Sequence, residues 1–277
     1  MIVRHLVDGA HQAGLPAVVL TFHPHPMAVL RGLEAPFYLS TPEERAALLG
    51  ALGVDVVVTQ PFTPALAAEP GEVFLRRIKR HTGFSRLWVG YDFAMGQHRD
   101  TDIARLRVLQ ETYAYSLEVP AAVTFEGQVL SSSLIRTWLS QGDVESAARA
   151  LGRPYSLRGP VVQGDGRGRT IGIPTANVAA PQERLTPQRG VYACRVLTGS
   201  GIYRAATNIG VRPTFDGAHP QQTVETHLLD FQGNLYGQEI EVQFLKRLRG
   251  ERRFASVHNL VEQIRQDLSL VREVVSL

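Results

Sequence analysis

The sequence predicts two folds in series: an α/β domain with a parallel sheet over residues 1–150, then a small antiparallel β-barrel with a terminal helix over 151–277. Three observations carry this. Up to about residue 150, continuous apolar runs alternate with helix-like segments, as they do where crossover helices bury both faces of a parallel sheet. After Pro154, strand-like runs follow one another across loops, with no helices between them. The chain then finishes on a single amphipathic stretch.

The elements follow in order. Pro16 to Phe22 is an apolar run of buried-strand type. Pro42 to Leu52 has helical composition and stops at Gly53, and Val54 to Val58 follows as a strand. A helix near Glu72 to Arg80 precedes the strand Arg86 to Val89. Gly142 to Gly152 is a short helix closed by glycine. The barrel strands are 156–163, 190–197, 203–209, 222–230 and 238–245. From Ser256 to Val275, Val257, Leu260, Val261, Ile264, Leu268 and Val271 share one helical face.

Composition narrows the class. Hydrophobic residues make up 44% and charged residues 20% of the 277, ordinary for a globular chain with real cores. One cysteine, Cys194, excludes an internal disulfide framework and fits the reducing cytoplasm; its alternating surroundings make it a packed thiol. No apolar run reaches membrane-spanning length, so no membrane partner is expected. Net charge is +3, nearly all of the basic residues are arginine, and they are scattered. The densest run, Arg76 to Arg80, reads as the polar side of a helix rather than a nucleic-acid contact.

The chemistry concentrates at Gly164–Asn177. Gly164, Gly166, Gly168 and Gly172 let the backbone turn sharply and bring amides close to an anion. Pro174 then delivers Thr175 and Asn177, which face one side if the segment is extended. A phosphate cradle beside two neutral oxygen ligands suits a magnesium-bound nucleotide triphosphate. The stretch matches neither dinucleotide fingerprint nor Walker loop: Arg169 and Ile171 stand where a third glycine is needed, and the chain's lysines are Lys79 and Lys246 alone. A plain glycine-rich turn is the competing reading, and the ordered Pro-Thr-Ala-Asn tail speaks against it.

With Gly190-Val191-Tyr192, Asn208–Phe215, Glu225-Thr226-His227 and Leu235-Tyr236-Gly237, that stretch resembles riboflavin kinase throughout the second half. The first half resembles the adenylyltransferase fused to that kinase in bacteria, through Thr21–Pro26, Gly90–Gly96 and Ser131–Arg136. The resemblance implies a Rossmann-like nucleotidyltransferase followed by the kinase barrel. It implies riboflavin, FMN and ATP as small-molecule substrates, FMN and FAD as products, and Mg2+ as cofactor. Thr175 and Asn177 would hold magnesium and phosphates, and Glu225 would accept the ribityl hydroxyl proton. From residues alone, Glu225 is a strand residue with an outward carboxylate. Arg249 and Phe254 would belong to a mobile flap over the flavin, in which Ala255 replaces a common acidic residue. Gln263, Ile264 and Asp267 match the family's last helix. Arg212-Pro213-Thr214 is read as a proline-fixed loop. In the other half His25 and Asp92 would lie near the reacting groups, and Ser132, Ser133 and Arg136 would contact nucleotide phosphates. Read without the family, His23 and His25 make a two-imidazole pair, too few ligands for a metal site.

The family's adenylyltransferase opens with a strand and a Gly-x-Phe-Asp-Gly-x-His-x-Gly-His loop that this sequence does not contain. Val3 to His11 reads as the helix that follows it. The expectation is a domain lacking its first strand, with sheet edges and apolar faces left uncovered. Three alternatives stand beside the two-step enzyme: a kinase with a remnant first domain, a non-catalytic flavin binder, and a single-strand nucleic-acid barrel. An aromatic content of 8%, mostly at alternating core positions, weakens the last.

Overall fold

The computed structural model describes residues 2–32, 36–164, 166–212 and 221–277. The chain forms two compact units, one of Met1–Glu34 with Ser40–Leu130, the other of Ala35–Leu39 with Ser131–Leu277.

In the first unit, helix α1 (Ile2–Gln12) leads to β1 (Val18–His23), α2 (Pro26–Arg31), α3 (Pro42–Gly50), β2 (Val56–Pro61), α4 (Gly71–Thr82), β3 (Arg86–Trp88), α5 (Ile103–Tyr113) and β4 (Ser116–Glu118). Helix α3 starts where the sequence marks it: Thr41 and Glu44 exchange both bonds of a capping box, at 3.2 and 2.8 Å. β2 begins at Val56, two residues later than the apolar run suggests. Val54 is buried in the core with Val7 and Ala17, and the Asp55 carboxylate accepts from the Ala17 amide at 2.8 Å. β1 pairs in parallel with β2, and β3 with β4. Among the described residues no strand joins the two pairs, and Val18, Val56 and Val58 are exposed. A second core gathers Leu75, Val89, Leu106, Leu109, Tyr115 and Leu117 between α4, α5 and the β3–β4 pair.

The second unit opens with α6 (Ser132–Gln141) and α7 (Val144–Leu151), closed by left-handed Gly142 and Gly152. Six strands then form a closed barrel: β5 (Tyr155–Val162), β6 (Ala176–Val178), β7 (Gly190–Thr198), β8 (Gly201–Arg212), β9 (Gln221–Leu228) and β10 (Glu239–Arg249). Their order around the wall is β6-β9-β8-β7-β10-β5, all antiparallel. Helix α8 (Val257–Val274), capped by Ser256, covers the outer face of β7. Val271 and Val275 pack on Ala193, which is why β7 is buried on both faces instead of alternating. In the barrel interior the buried hydroxyls of Thr207 and Thr226 pair with each other, 2.8 Å apart. Cys194 is buried there, and burial pushes its thiol up to about 12. A stranded segment from the first half of the sequence, residues 36–39, also belongs to this unit: Tyr38 bridges Arg184. One helical turn, Arg167–Thr170, interrupts the β5–β6 connection, where the sequence suggests loop alone.

Candidate active site

Strand β6 spans only three residues, yet it fixes the site. Its register sets Asn177 opposite Glu225 on β9 and opposite Val162 on β5. Ala176, Val178 and Thr226 are buried toward the interior, so Asn177 and Glu225 stand on the outer wall. Directly opposed residues have Cβ atoms ~4.5–5.5 Å apart. Asn208 on β8 continues the row, opposite Glu225. A carboxamide, a carboxylate and a second carboxamide thus come from three adjacent strands.

The glycine-rich segment folds over this row, and its glycines do two different jobs. A Cβ on Gly164 would fall 2.1 Å from the Asn177 amide nitrogen, and one on Gly168 would fall 2.3 Å from the Ile173 carbonyl and 3.4 Å from the Thr175 hydroxyl. At Gly168 the obstacle is backbone, whereas at Gly164 a side chain would have to displace the Asn177 carboxamide. Gly166 and Gly172 instead adopt left-handed φ of 70° and 76° in open space. The amides of Arg169, Ile171, Gly172 and Ile173 bond to carbonyls inside the loop. Those four are spent on shaping the loop and do not face an anion. At the loop's end, His227 Nδ1 lies 2.7 Å from the Pro174 carbonyl.

The flap residues take definite positions. Arg249 donates to Asp267 of α8 from Nε at 3.0 Å and Nη2 at 2.7 Å, and Gln263 adds a bond to the same carboxylate at 3.1 Å. The Arg249 guanidinium also lies 5.8 Å from the Phe254 ring centre. Its charge is therefore committed to holding the end of β10 on the helix. A separate cavity of about 480 Å³, which neither α8 nor Phe254 lines, is bordered by Ser140, Gln188, Arg189, Gln222, Arg247 and Glu251. Pro213 and Thr214 lie outside the described residues.

The five positions expected for nucleotide transfer divide between the units. In the first, His25 caps α2, its Nδ1 accepting from the Met27 amide at 3.1 Å. Asp92 lines a cavity of about 410 Å³ with Tyr91, Phe93, Arg99 and Asp102. Arg99 donates to the Asp92 carbonyl at 2.9 Å, and His98 and Arg99 both hold left-handed φ, of 55° and 61°. Two successive non-glycine residues in that region store strain of the kind found at functional sites. In the second unit, Ser132 and Ser133 are the exposed first residues of α6, behind the Ser131 cap. Arg136 stacks 3.8 Å above the Phe37 ring and donates to the Phe37 carbonyl at 2.9 Å; burial lowers its pKa.

Asn208 and His227, which stand in the family-like blocks of the sequence without an assigned role, also belong to this picture, as does Arg99, which the sequence did not single out. Register sets Asn208 opposite Glu225, and His227 follows two residues further along the strand that carries Glu225.

A riboflavin kinase family model matches residues 151–275, and an FAD synthetase model matches residues 1–134. A bifunctional riboflavin kinase/FMN adenylyltransferase of Haemophilus influenzae is 34% identical over 273 residues, covering 98% of this chain and 88% of its own length. The chain belongs to this bifunctional family. The Escherichia coli K12 member of the family is 36% identical over 282 residues, with 99% and 88% coverage. A solved structure described as a macrolide-efflux protein from Streptococcus pneumoniae superposes with a TM-score of 0.87 at 30% identity, covering 98% of this chain and 88% of the other. Efflux is a property stated of that protein; among the described residues here, no helix is long and apolar enough to cross a membrane.

Proposed function

We propose that the chain makes flavin cofactors in two ATP-dependent steps. The barrel phosphorylates the terminal ribityl hydroxyl of riboflavin to give FMN, and the first half of the sequence joins FMN to AMP to give FAD. The observation that carries the first step is the opposition of Asn177 and Glu225 under the glycine segment. Glu225 accepts the hydroxyl proton as the ribityl oxygen bonds to the γ-phosphorus; the bridging P–O bond breaks and ADP leaves. Phosphoryl transfer has a loose transition state, so positioning and charge neutralisation supply most of the rate, and a placed base adds ~10²–10⁴-fold.

The oxygen donors fit a magnesium ion. Thr175 and Asn177 offer neutral oxygens beside the Glu225 carboxylate, and Gly164 leaves room against Asn177 that a Cβ would fill. Among the described residues no cluster of three or more His, Cys, Asp or Glu side chains forms a self-sufficient cage. That is the donor set of an ion taking most of its ligands from substrate phosphates and water. Bound there by Thr175 and Asn177, magnesium would neutralise charge on the transferring group. Arg249 and Phe254 border the flavin from the flap. For adenylyl transfer, the FMN phosphate attacks the α-phosphorus and pyrophosphate leaves; of the positions the family resemblance implies, the first unit carries His25 and Asp92, and the second carries Ser132, Ser133 and Arg136. An ATP-consuming pathway and a lone unoxidised thiol suit the cytoplasm.

Incubation with riboflavin and Mg-ATP, followed by separation of the flavins, tests this reading. FMN together with FAD is the expected result. FMN alone removes the second step, and unchanged riboflavin removes both.

A further inference from the structure

We infer that His227 is a positioning residue for nucleotide binding, tethering the loop that presents Thr175 and Asn177. The inference rests on the kinase reading of the barrel. His227 lies two residues beyond Glu225 on β9, on the same outer face, because Thr226 between them is buried. Its Nδ1 meets the Pro174 carbonyl at 2.7 Å. A carbonyl oxygen only accepts, so the bond requires a proton on Nδ1. β6 begins at Ala176, and Thr175 therefore precedes the ladder that fixes Asn177. Pro174 has no amide hydrogen with which to join that ladder itself. Four of the loop's amides point inward to its own carbonyls, which shapes the loop without attaching it to the wall. The His227 bond attaches it, from the strand that carries Glu225. One side chain thereby sets the distance between the ligand-bearing loop and the base.

Asparagine at this position places its amide nitrogen where Nδ1 sits; glutamine carries it to where Nε2 sits, beyond the bond. His227→Asn and His227→Gln are compared in the full chain by two measurements. The first is hydrogen exchange of peptides within 164–177 during titration with Mg-ADP. The second is steady-state phosphorylation of riboflavin. One net hydrogen bond is worth up to about tenfold in an equilibrium. His227→Gln is expected to raise the Mg-ADP midpoint and the KM for Mg-ATP about 10-fold, with kcat within about 3-fold of wild type. His227→Asn is expected to stay within about 3-fold on every quantity. The tether is refuted if His227→Gln matches wild type, if both variants weaken equally, or if kcat falls while KM holds. Should His227→Gln fail to fold, a His227→Asn chain weakened tenfold refutes it as well. A wild-type chain that gains protection in 164–177 with Mg-ADP yet makes no FMN counts against the kinase reading alone.

Discussion

Each of the barrel strands has a partner on both sides, whereas β1 and β2, like β3 and β4, pair only with each other among the described residues. The difference decides how each unit can hold chemistry. In a closed sheet the register of every strand is set twice, so Asn177, Glu225 and Asn208 line up across the wall without any side chain holding them there. In the first unit, Val18, Val56 and Val58 stand 37%, 46% and 39% exposed on strands with one free edge. Its candidate site residues come instead from a helix cap, His25, and from Asp92, whose carbonyl is held by Arg99 of the strained turn. A closed wall places a site through register, and an open pair places one through loops.

This contrast can be broken in order of effect. Glu225→Gln is the largest test: FMN formation from riboflavin is expected to fall ~10²–10⁴-fold, while conversion of supplied FMN to FAD stays within about 2-fold. Equal loss of both, by chromatographic assay, would dissolve the separation. Asp267→Ala comes next. Removing one partner of the buried pair with Arg249, 11% and 3% exposed, leaves an unpaired charge and should cost roughly 3–5 kcal/mol in denaturant unfolding of the barrel. Gly164→Ala forces a Cβ against the Asn177 amide, and the KM for Mg-ATP is expected to rise about tenfold or more with little change in melting temperature. The smallest effect sharpens the comparison. Val242→Thr puts a hydroxyl into the buried barrel interior and should cost ~1–3 kcal/mol, while Val58→Thr on the open pair should change stability by under ~0.5 kcal/mol.

Most of this architecture was legible in the sequence because apolar runs are long enough to show their period. β1, β2, α4, β7 and α8 all lie within a few residues of their expected places. The glycine segment and its Pro-Thr-Ala-Asn tail announced chemistry by composition. What the sequence hid depends on pairing. β6 is three residues long and carries no periodicity of its own, and Asn208 and His227 gain meaning only once β8 and β9 are in register with it. Positive φ at His98 and Arg99 was equally hidden, since no glycine marks it. The Asp267 carboxylate that pairs with Arg249 was hidden as well, since nothing in the sequence links β10 to that turn of α8.

The central claim is that Asn177 and Glu225 serve one phosphoryl transfer. A double-mutant cycle on single-turnover FMN formation, using Asn177→Ala, Glu225→Gln and the pair, measures it directly. The two are expected to couple, the double variant losing at least about 5-fold less than the product of the single losses. Losses that simply multiply would mean that the two residues act independently, and the row on the barrel wall would not be the site.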